Sequence, residues 1–160
     1  FLSTVSKMQW GVVEQQGFVD WGAANLQSDR LSFHSDILAV MEAIAPNTVL
    51  LSGVLQYLPD PYAILSEFAA APTVKYIIFD RTPMLADAGR SSELAVQRVP
   101  ASVVASSYPA WLFSRDELLN PLLRAGFHVG IEWDALDLPM GSLKRKVVFK
   151  GLMLEKSRNE

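Results

Sequence analysis

Short apolar runs alternate with amphipathic stretches along this chain, and polar or proline-bearing segments separate them. Gln9-Trp10-Gly11-Val12-Val13-Glu14 reads as a buried strand ending in polar residues. Phe18 to Leu26 predicts a weak helix, with Phe18, Trp21 and Leu26 as its apolar positions. Leu31-Ser32-Phe33-His34 is a second strand. Asp36 caps the next helix, where Ile37, Leu38, Val40, Met41 and Ile44 repeat at the helical period until Pro46 stops it. Thr48-Val49-Leu50-Leu51-Ser52 is a β-rich run that ends at Ser52-Gly53. Asp60 is a good N-cap, and Pro61 sits at the first helical position, where its missing N–H costs nothing. That helix carries Tyr62, Ile64, Leu65 and Phe68 on one stripe and ends before Pro72. Lys75-Tyr76-Ile77-Ile78-Phe79 is another buried strand, and it ends abruptly in Asp80-Arg81.

Residues 81–113 read as one long irregular stretch, punctuated by Pro83, Gly89, Pro100 and Pro109. It far exceeds the ~4–6 residues of an ordinary connection, and long ordered loops are commonly lids or binding loops. Ser114-Arg115-Asp116-Glu117 is a capping box. The helix it opens carries Leu118, Leu119, Leu122 and Leu123 and closes at Gly126. The chain ends in a hairpin, with His128–Trp133 as one arm, Arg145–Leu154 as the other, and a Pro-Met-Gly loop between them. The order is β-α-β-α-β-α-β-loop-α-β-β. Alternating units with near-continuous apolar strands predict an α/β fold: a six-stranded, doubly wound, mostly parallel sheet with helices on both faces and a last strand that is antiparallel.

Length and composition narrow the chemistry. At 160 residues the chain has room for one domain. Hydrophobic residues make up 50% and charged residues 19%, which excludes a disordered chain. The mean hydropathy of +0.19 is high for a soluble domain. Either the sheet is buried on both faces, or apolar surface awaits a partner such as a second copy of the chain. A net charge of −3 argues against nucleic-acid binding, which needs a basic face. With no cysteine and only two histidines, the chain has no disulfide, no thiolate nucleophile and no Cys- or His-rich metal site. No apolar run reaches the ~18 residues of a membrane span. The start, Phe1-Leu2-Ser3-Thr4-Val5, has neither an initiator Met nor a charged region of the signal-peptide kind, and the expected location is the cytoplasm.

The wording of particular segments is more specific than the topology. Trp10-Gly11-Val12-Val13-Glu14-Gln15 comes first, and Leu51-Ser52-Gly53-Val54-Leu55-Gln56-Tyr57-Leu58-Pro59-Asp60-Pro61 follows. Asp80-Arg81-Thr82-Pro83, Val96-Gln97-Arg98-Val99-Pro100 and Ser107-Tyr108-Pro109-Ala110-Trp111 complete the set. Over nearly its whole length the chain resembles a bacterial family of S-adenosylmethionine-dependent methyltransferases whose members are often linked to surface-polysaccharide gene clusters. The resemblance implies the Rossmann-like class I methyltransferase fold from its second strand onward. It implies S-adenosylmethionine as cofactor, no metal, and a small-molecule or saccharide acceptor. One departure stands out. The Gly-rich turn that such enzymes carry after their first strand is missing, since Gly11, Gly17 and Gly22 are scattered and none opens a helix after a strand. Phe1 to Lys7 fit the end of the helix that follows that turn, so the chain reads as truncated at its N-terminus. In the family's fold the first strand lies between the strand of Val12-Val13 and the strand of Val49-Leu50. Without it, those two strands are expected to pair directly or to meet another chain.

The resemblance also distributes roles. Glu14 closes a strand, where ligands bind in doubly wound sheets, and the family uses this position for the two ribose hydroxyls. The bland alternative is a solvated strand-end glutamate. Ser35 and Asp36 stand where related folds place a polar group against adenine, though Asp36 is equally explained as a helix cap. Ser52, Gly53, Leu55 and Gln56 follow the third strand. Gly53 allows a ligand close to backbone, Leu55 suits an adenine-side contact, and Gln56 faces the methyl donor. Asp80 and His34 are the candidate general bases for a hydroxyl acceptor, with a structural His34 as the alternative. Arg81, Tyr108 and Trp111 are assigned to the acceptor, with 81–113 as a lid. Tyr108 and Trp111 serve either as sugar-binding platforms or as anchors of the loop. A non-catalytic Rossmann-like binding or assembly domain is the competing function, because fold alone does not fix chemistry.

Overall fold

The structure, a computed structural model, describes residues 5, 7–99, 101–136 and 145–157. The chain divides into two compact units, Phe1–Pro46 and Asn47–Glu160, where length alone predicts one domain.

In the first unit, β1 (Trp10–Val13) and β2 (Leu31–His34) form a parallel pair, joined by α1 (Gln16–Asn25) and followed by α2 (Ile37–Ile44). The predicted cap is in place, for Asp36 accepts from the Leu38 N–H at 2.9 Å. Ala45, in the left-handed region, ends α2 just before Pro46. The core here is thin. Val19 and Val40 are buried, while Phe18 and Trp21 of α1 stay exposed.

The second unit holds β3 (Thr48–Ser52), α3 (Pro61–Ala70), β4 (Tyr76–Leu85), β5 (Glu93–Val99), β6 (Ser106–Leu112), α4 (Arg115–Arg124), β7 (Phe127–Asp134) and β8 (Val147–Lys156). Its main sheet has the order β3-β4-β8-β7; β3 and β4 are parallel, and β8 runs antiparallel to both neighbours. Phe79, Phe113, Leu55, Ile77, Leu118, Leu122, Leu152 and Leu154 form the fully buried centre of this unit. Asp60 caps α3 by accepting from the Ala63 N–H at 3.0 Å, with Pro61 at the first position as predicted. Asp60→Ala should therefore cost about 1 kcal/mol, read as a fall in Tm of a few degrees; an unchanged Tm would mean that the cap contributes nothing.

Three expectations need correction. Eight strands form among the described residues where six were predicted, and β5 and β6 make a two-stranded sheet of their own. The strand expected to stop at Phe79 runs on to Leu85. A bulge between Phe79 and Thr82 lets Thr82–Leu85 pair with Val147–Lys150, and the apolar Met84 and Leu85 are buried by that pairing. Nor are residues 81–113 one irregular stretch, since β5 and β6 within them form an antiparallel hairpin from Glu93↔Leu112 to Val99↔Ser106. Pro109 within β6 and the serines before it hid the strand pattern.

Within the first unit β1 pairs with β2, and within the second β3 pairs with β4, both in parallel. The reading of Phe1 to Lys7 as a helix end and the Pro-Met-Gly loop fall mostly outside the described residues. Among those residues, no helix is long and apolar enough to cross a membrane.

Candidate functional site

Parallel strands bring their carboxyl ends to one edge, and ligands of open α/β sheets bind beyond that edge. In the first unit the register sets Val13 against His34, so Glu14 and His34 lie side by side at that edge of β1–β2. The Glu14 N–H donates to the His34 carbonyl at 3.0 Å. The Glu14 carboxylate is exposed and takes the Gln15 N–H at 3.1 Å on one oxygen, which leaves most of its acceptor capacity to solvent or ligand. His34 is half-buried, and its Nε2 lies 2.8 Å from the Ser32 hydroxyl. Ser35 is exposed at the turn, and Asp36 serves α2 as its cap.

In the second unit Ser52 and Asp80 face each other in the β3–β4 register. The Ser52 hydroxyl donates to Asp80 Oδ2 at 3.2 Å, and the Gly53 N–H donates to the Asp80 carbonyl at 2.9 Å. Gly53 has φ 62, a left-handed value that favours glycine. The chain then makes a single 3-10 turn at Leu55–Tyr57. Leu55 is fully buried there. Gln56 is 4% exposed, and its Oε1 has no hydrogen-bond partner among the described residues. A buried acceptor left unpaired costs ~1–3 kcal/mol, so this oxygen is suited to a donor brought by a ligand. Asp80 and Arg81 open onto a cleft of about 560 Å³, whose other walls are Trp133, Asp134, Ala135 and Leu136. Arg81 has φ 54, a strained value for a side chain with a Cβ.

Tyr108 and Trp111 take different surroundings on β6. The Trp111 ring stacks with Phe113 at 6.5 Å between centroids and stands edge-on to Tyr62 at 6.3 Å. Tyr108 stands edge-on to Tyr57 at 5.4 Å, and the Tyr57 hydroxyl donates to Gln97 Oε1 at 2.9 Å. Burial, with the Tyr57 phenol beside it, pushes the Tyr108 hydroxyl up. Burial likewise raises Tyr62, whose hydroxyl lies 2.6 Å from the Ser92 hydroxyl.

The capping box at Ser114 is half-formed. Ser114 Oγ accepts from the Glu117 N–H at 3.5 Å. The Glu117 carboxylate turns instead to the Ser92 N–H at 2.7 Å, and the Ser114 N–H donates to the Ser92 hydroxyl at 2.8 Å. The Ser92 backbone, with the Ser91 and Ser92 hydroxyls, holds Glu117 below the usual 4.5 of a glutamate. A lowered carboxyl value stabilises the fold fully above 4.5, and that contribution disappears as pH falls through the folded value. Glu117→Gln should therefore reduce the loss of Tm between about pH 6 and pH 3; parallel Tm curves for the two proteins would contradict this.

Trp133 and Gly151 are the site residues that sequence reasoning missed. Trp133 reads as one arm of a hairpin, yet its Nε1–H donates to Asp80 Oδ1 at 3.1 Å. A signal was present in the lone glycine within the apolar run Val147–Leu154, because glycine inside a strand marks close approach.

No protein-family model matches the sequence, and a search of curated proteins finds no relative. Solved structures do match. A Listeria monocytogenes protein assigned to the S-adenosylmethionine-dependent methyltransferases aligns over 95% of this chain and 81% of its own, at 13% identity and TM-score 0.61. The glycopeptide N-methyltransferase MtfA in complex with S-adenosyl-L-methionine aligns over 96% of this chain and 89% of its own, at 14% identity and TM-score 0.56. The 1,6-didemethyltoxoflavin-N1-methyltransferase of Burkholderia thailandensis gives 93% and 60% coverage, 14% identity and TM-score 0.53. At such identities the likeness speaks for architecture: this chain has the α/β fold seen in S-adenosylmethionine-dependent methyltransferases.

Proposed function

We propose that this chain is part of an S-adenosylmethionine-dependent methyltransferase acting on a small-molecule or saccharide acceptor. The observation that carries the proposal is the fold likeness, joined to polar groups at the carboxyl ends of both parallel strand pairs. A finer reading of the fold belongs to the proposal. It is a Rossmann-like, doubly wound sheet whose first strand is not among these 160 residues, supported by the two parallel strand pairs and by the lack of a Gly-rich turn in the sequence.

The residues present suit the cofactor. Glu14 supplies a carboxylate for the ribose hydroxyl pair, Ser35 and Asp36 supply polar groups for adenine, and Gly53 admits a ligand close to backbone. Leu55 is buried in the core at the same turn, and the Gln56 Oε1, unpaired among the described residues, suits an N–H or O–H donor. The bound cofactor would supply a methyl group already activated on a sulfonium. The chain's own task is then proximity, orientation and the handling of one proton. Asp80 is the better placed base. It borders an open cleft with Arg81, whereas the His34 Nε2 lies within bonding distance of Ser32. With a hydroxyl acceptor, the oxygen would take the methyl group as the sulfonium sulfur leaves as a neutral thioether, and the hydroxyl proton would pass to the Asp80 carboxylate and on to water. Arg81 and Tyr108 orient the acceptor, and residues 81–113 cover it. Trp111 is placed chiefly to anchor that segment.

A thermal-shift assay on the full-length natural protein tests this reading. S-adenosylmethionine and S-adenosylhomocysteine should each raise Tm, since a ligand at 100 times its Kd adds ~2.7 kcal/mol, and ATP should not. No rise with either sulfur compound would leave a non-catalytic domain as the better description. Tyr108→Ala should weaken acceptor use with the cofactor-induced shift intact, while Trp111→Ala should lower Tm by several degrees; the reverse pattern would exchange their roles.

A further inference from the structure

The bulge on β4 sets two residues, Asp80 and Arg81, against one residue of β8. Phe79 pairs with Leu152 and Thr82 with Lys150, so Gly151 alone lies opposite. On the other side of β8, the same Gly151 is the register partner of Trp133 on β7. The result is one row of groups across three strands. Trp133 belongs to a strand that is not a neighbour of β4, yet its indole N–H reaches Asp80 Oδ1 at 3.1 Å. It does so by lying over Gly151. A Cβ at that position would collide with the Cε2, Nε1 and Cζ2 atoms of the indole. Any other residue there would close the passage. Arg81 at φ 54 carries the strain of the bulge, a local cost that persists only where the surroundings enforce it.

The second Asp80 oxygen is held from the opposite flank by the Ser52 hydroxyl of β3, at 3.2 Å. Among the described residues, each carboxylate oxygen thus has one hydrogen-bond donor. Both of these donors are neutral. By contrast, Glu132 bonds the Arg115 guanidinium at 2.9 Å, and Asp134 the Lys150 ammonium at 2.7 Å. Neutral donors orient a carboxylate without cancelling its charge.

We propose that Trp133, passing over Gly151, is a positioning residue that with Ser52 fixes the Asp80 carboxylate in one orientation at the cleft. The proposal rests on the reading of Asp80 as the acceptor's base, and its test is independent of methyl transfer. The probe is the indole N–H spectrum of the ¹⁵N-labelled protein, in which the four tryptophans of this chain are told apart by Trp133→Phe. Among the described residues, the charged groups round Asp80 are Arg81 on its own strand, Asp134 on β7 and Lys150, which pairs with Asp134, on β8. The Trp133 N–H resonance should shift with pH as a carboxylate titrates. The shift should vanish in Asp80→Asn, persist in Asp134→Asn, and vanish in Gly151→Ala as the indole is displaced. A resonance that ignores pH, that follows Asp134 instead, or that Gly151→Ala leaves in place overturns the proposal. Should Gly151→Ala fail to fold, the wild type and the two aspartate variants still decide it. A protein that binds no S-adenosylmethionine but keeps the titration loses the methyltransferase reading alone; one that binds it without the titration loses only the role of Trp133.

Discussion

Glu14→Ala should weaken S-adenosylmethionine binding by the full-length natural protein about a hundredfold, with Tm in the absence of ligand unchanged. A carboxylate that accepts from two ribose hydroxyls makes two charge-assisted hydrogen bonds, each ~1.5–3 kcal/mol, and water recovers part of that when the side chain is removed. A net loss of ~2.7 kcal/mol corresponds to a factor of about 100 in Kd. Stability should not follow, because Glu14 is exposed and its carboxylate bonds only the adjacent Gln15 N–H among the described residues. Glu14→Gln keeps one acceptor and should lose about tenfold. Calorimetric titration reads both variants. Affinity unchanged in Glu14→Ala would return this residue to an ordinary solvated strand end.

The largest effect on stability is expected at Phe79→Ala. Phe79 is fully buried on β4, directly before the bulge that aims Asp80. Truncating such a ring removes its transfer free energy and leaves a cavity, together ~3–5 kcal/mol. Tm should fall by about 10 °C or more in a unit of this size. Val103→Ala, at a side chain 72% exposed, serves as the contrast and should stay within about 0.5 kcal/mol of wild type. Similar melting temperatures for the two variants would mean that β4 does not run through the core.

Wherever a local signal matched the tertiary outcome, the elements could be read from sequence. Asp36, Asp60 and Ser114 each cap the helix they were expected to cap, because a short acceptor side chain before an apolar-periodic segment needs no distant partner. Thr48–Ser52 and Leu31–His34 fall on their predicted bounds for the same reason. What failed to show was non-local. Asp80-Arg81 looks like the end of a strand, and only the pairing with β8 reveals a bulge in a strand that continues. The β5–β6 hairpin is masked by Pro109 and by the outward-facing Leu94 and Val96, which break the usual alternation. The candidate site was legible as positions at strand ends, since topology alone brings Glu14 beside His34 and Ser52 beside Asp80. The reach of Trp133 over Gly151 was not legible, because it joins residues 53 apart in sequence through a register that no local pattern encodes. Glu117 is a similar case, its capping role diverted by Ser92 from a distant strand end.

The account turns on the cofactor, and S-adenosylmethionine titration by calorimetry, on the wild-type protein and on Glu14→Ala side by side, tests it most directly. The predicted result is clear binding by the wild type and binding about a hundredfold weaker by Glu14→Ala, whose ribose carboxylate is gone. Comparable affinities would contradict the placement of the cofactor site, and no binding by either would contradict the methyltransferase reading itself.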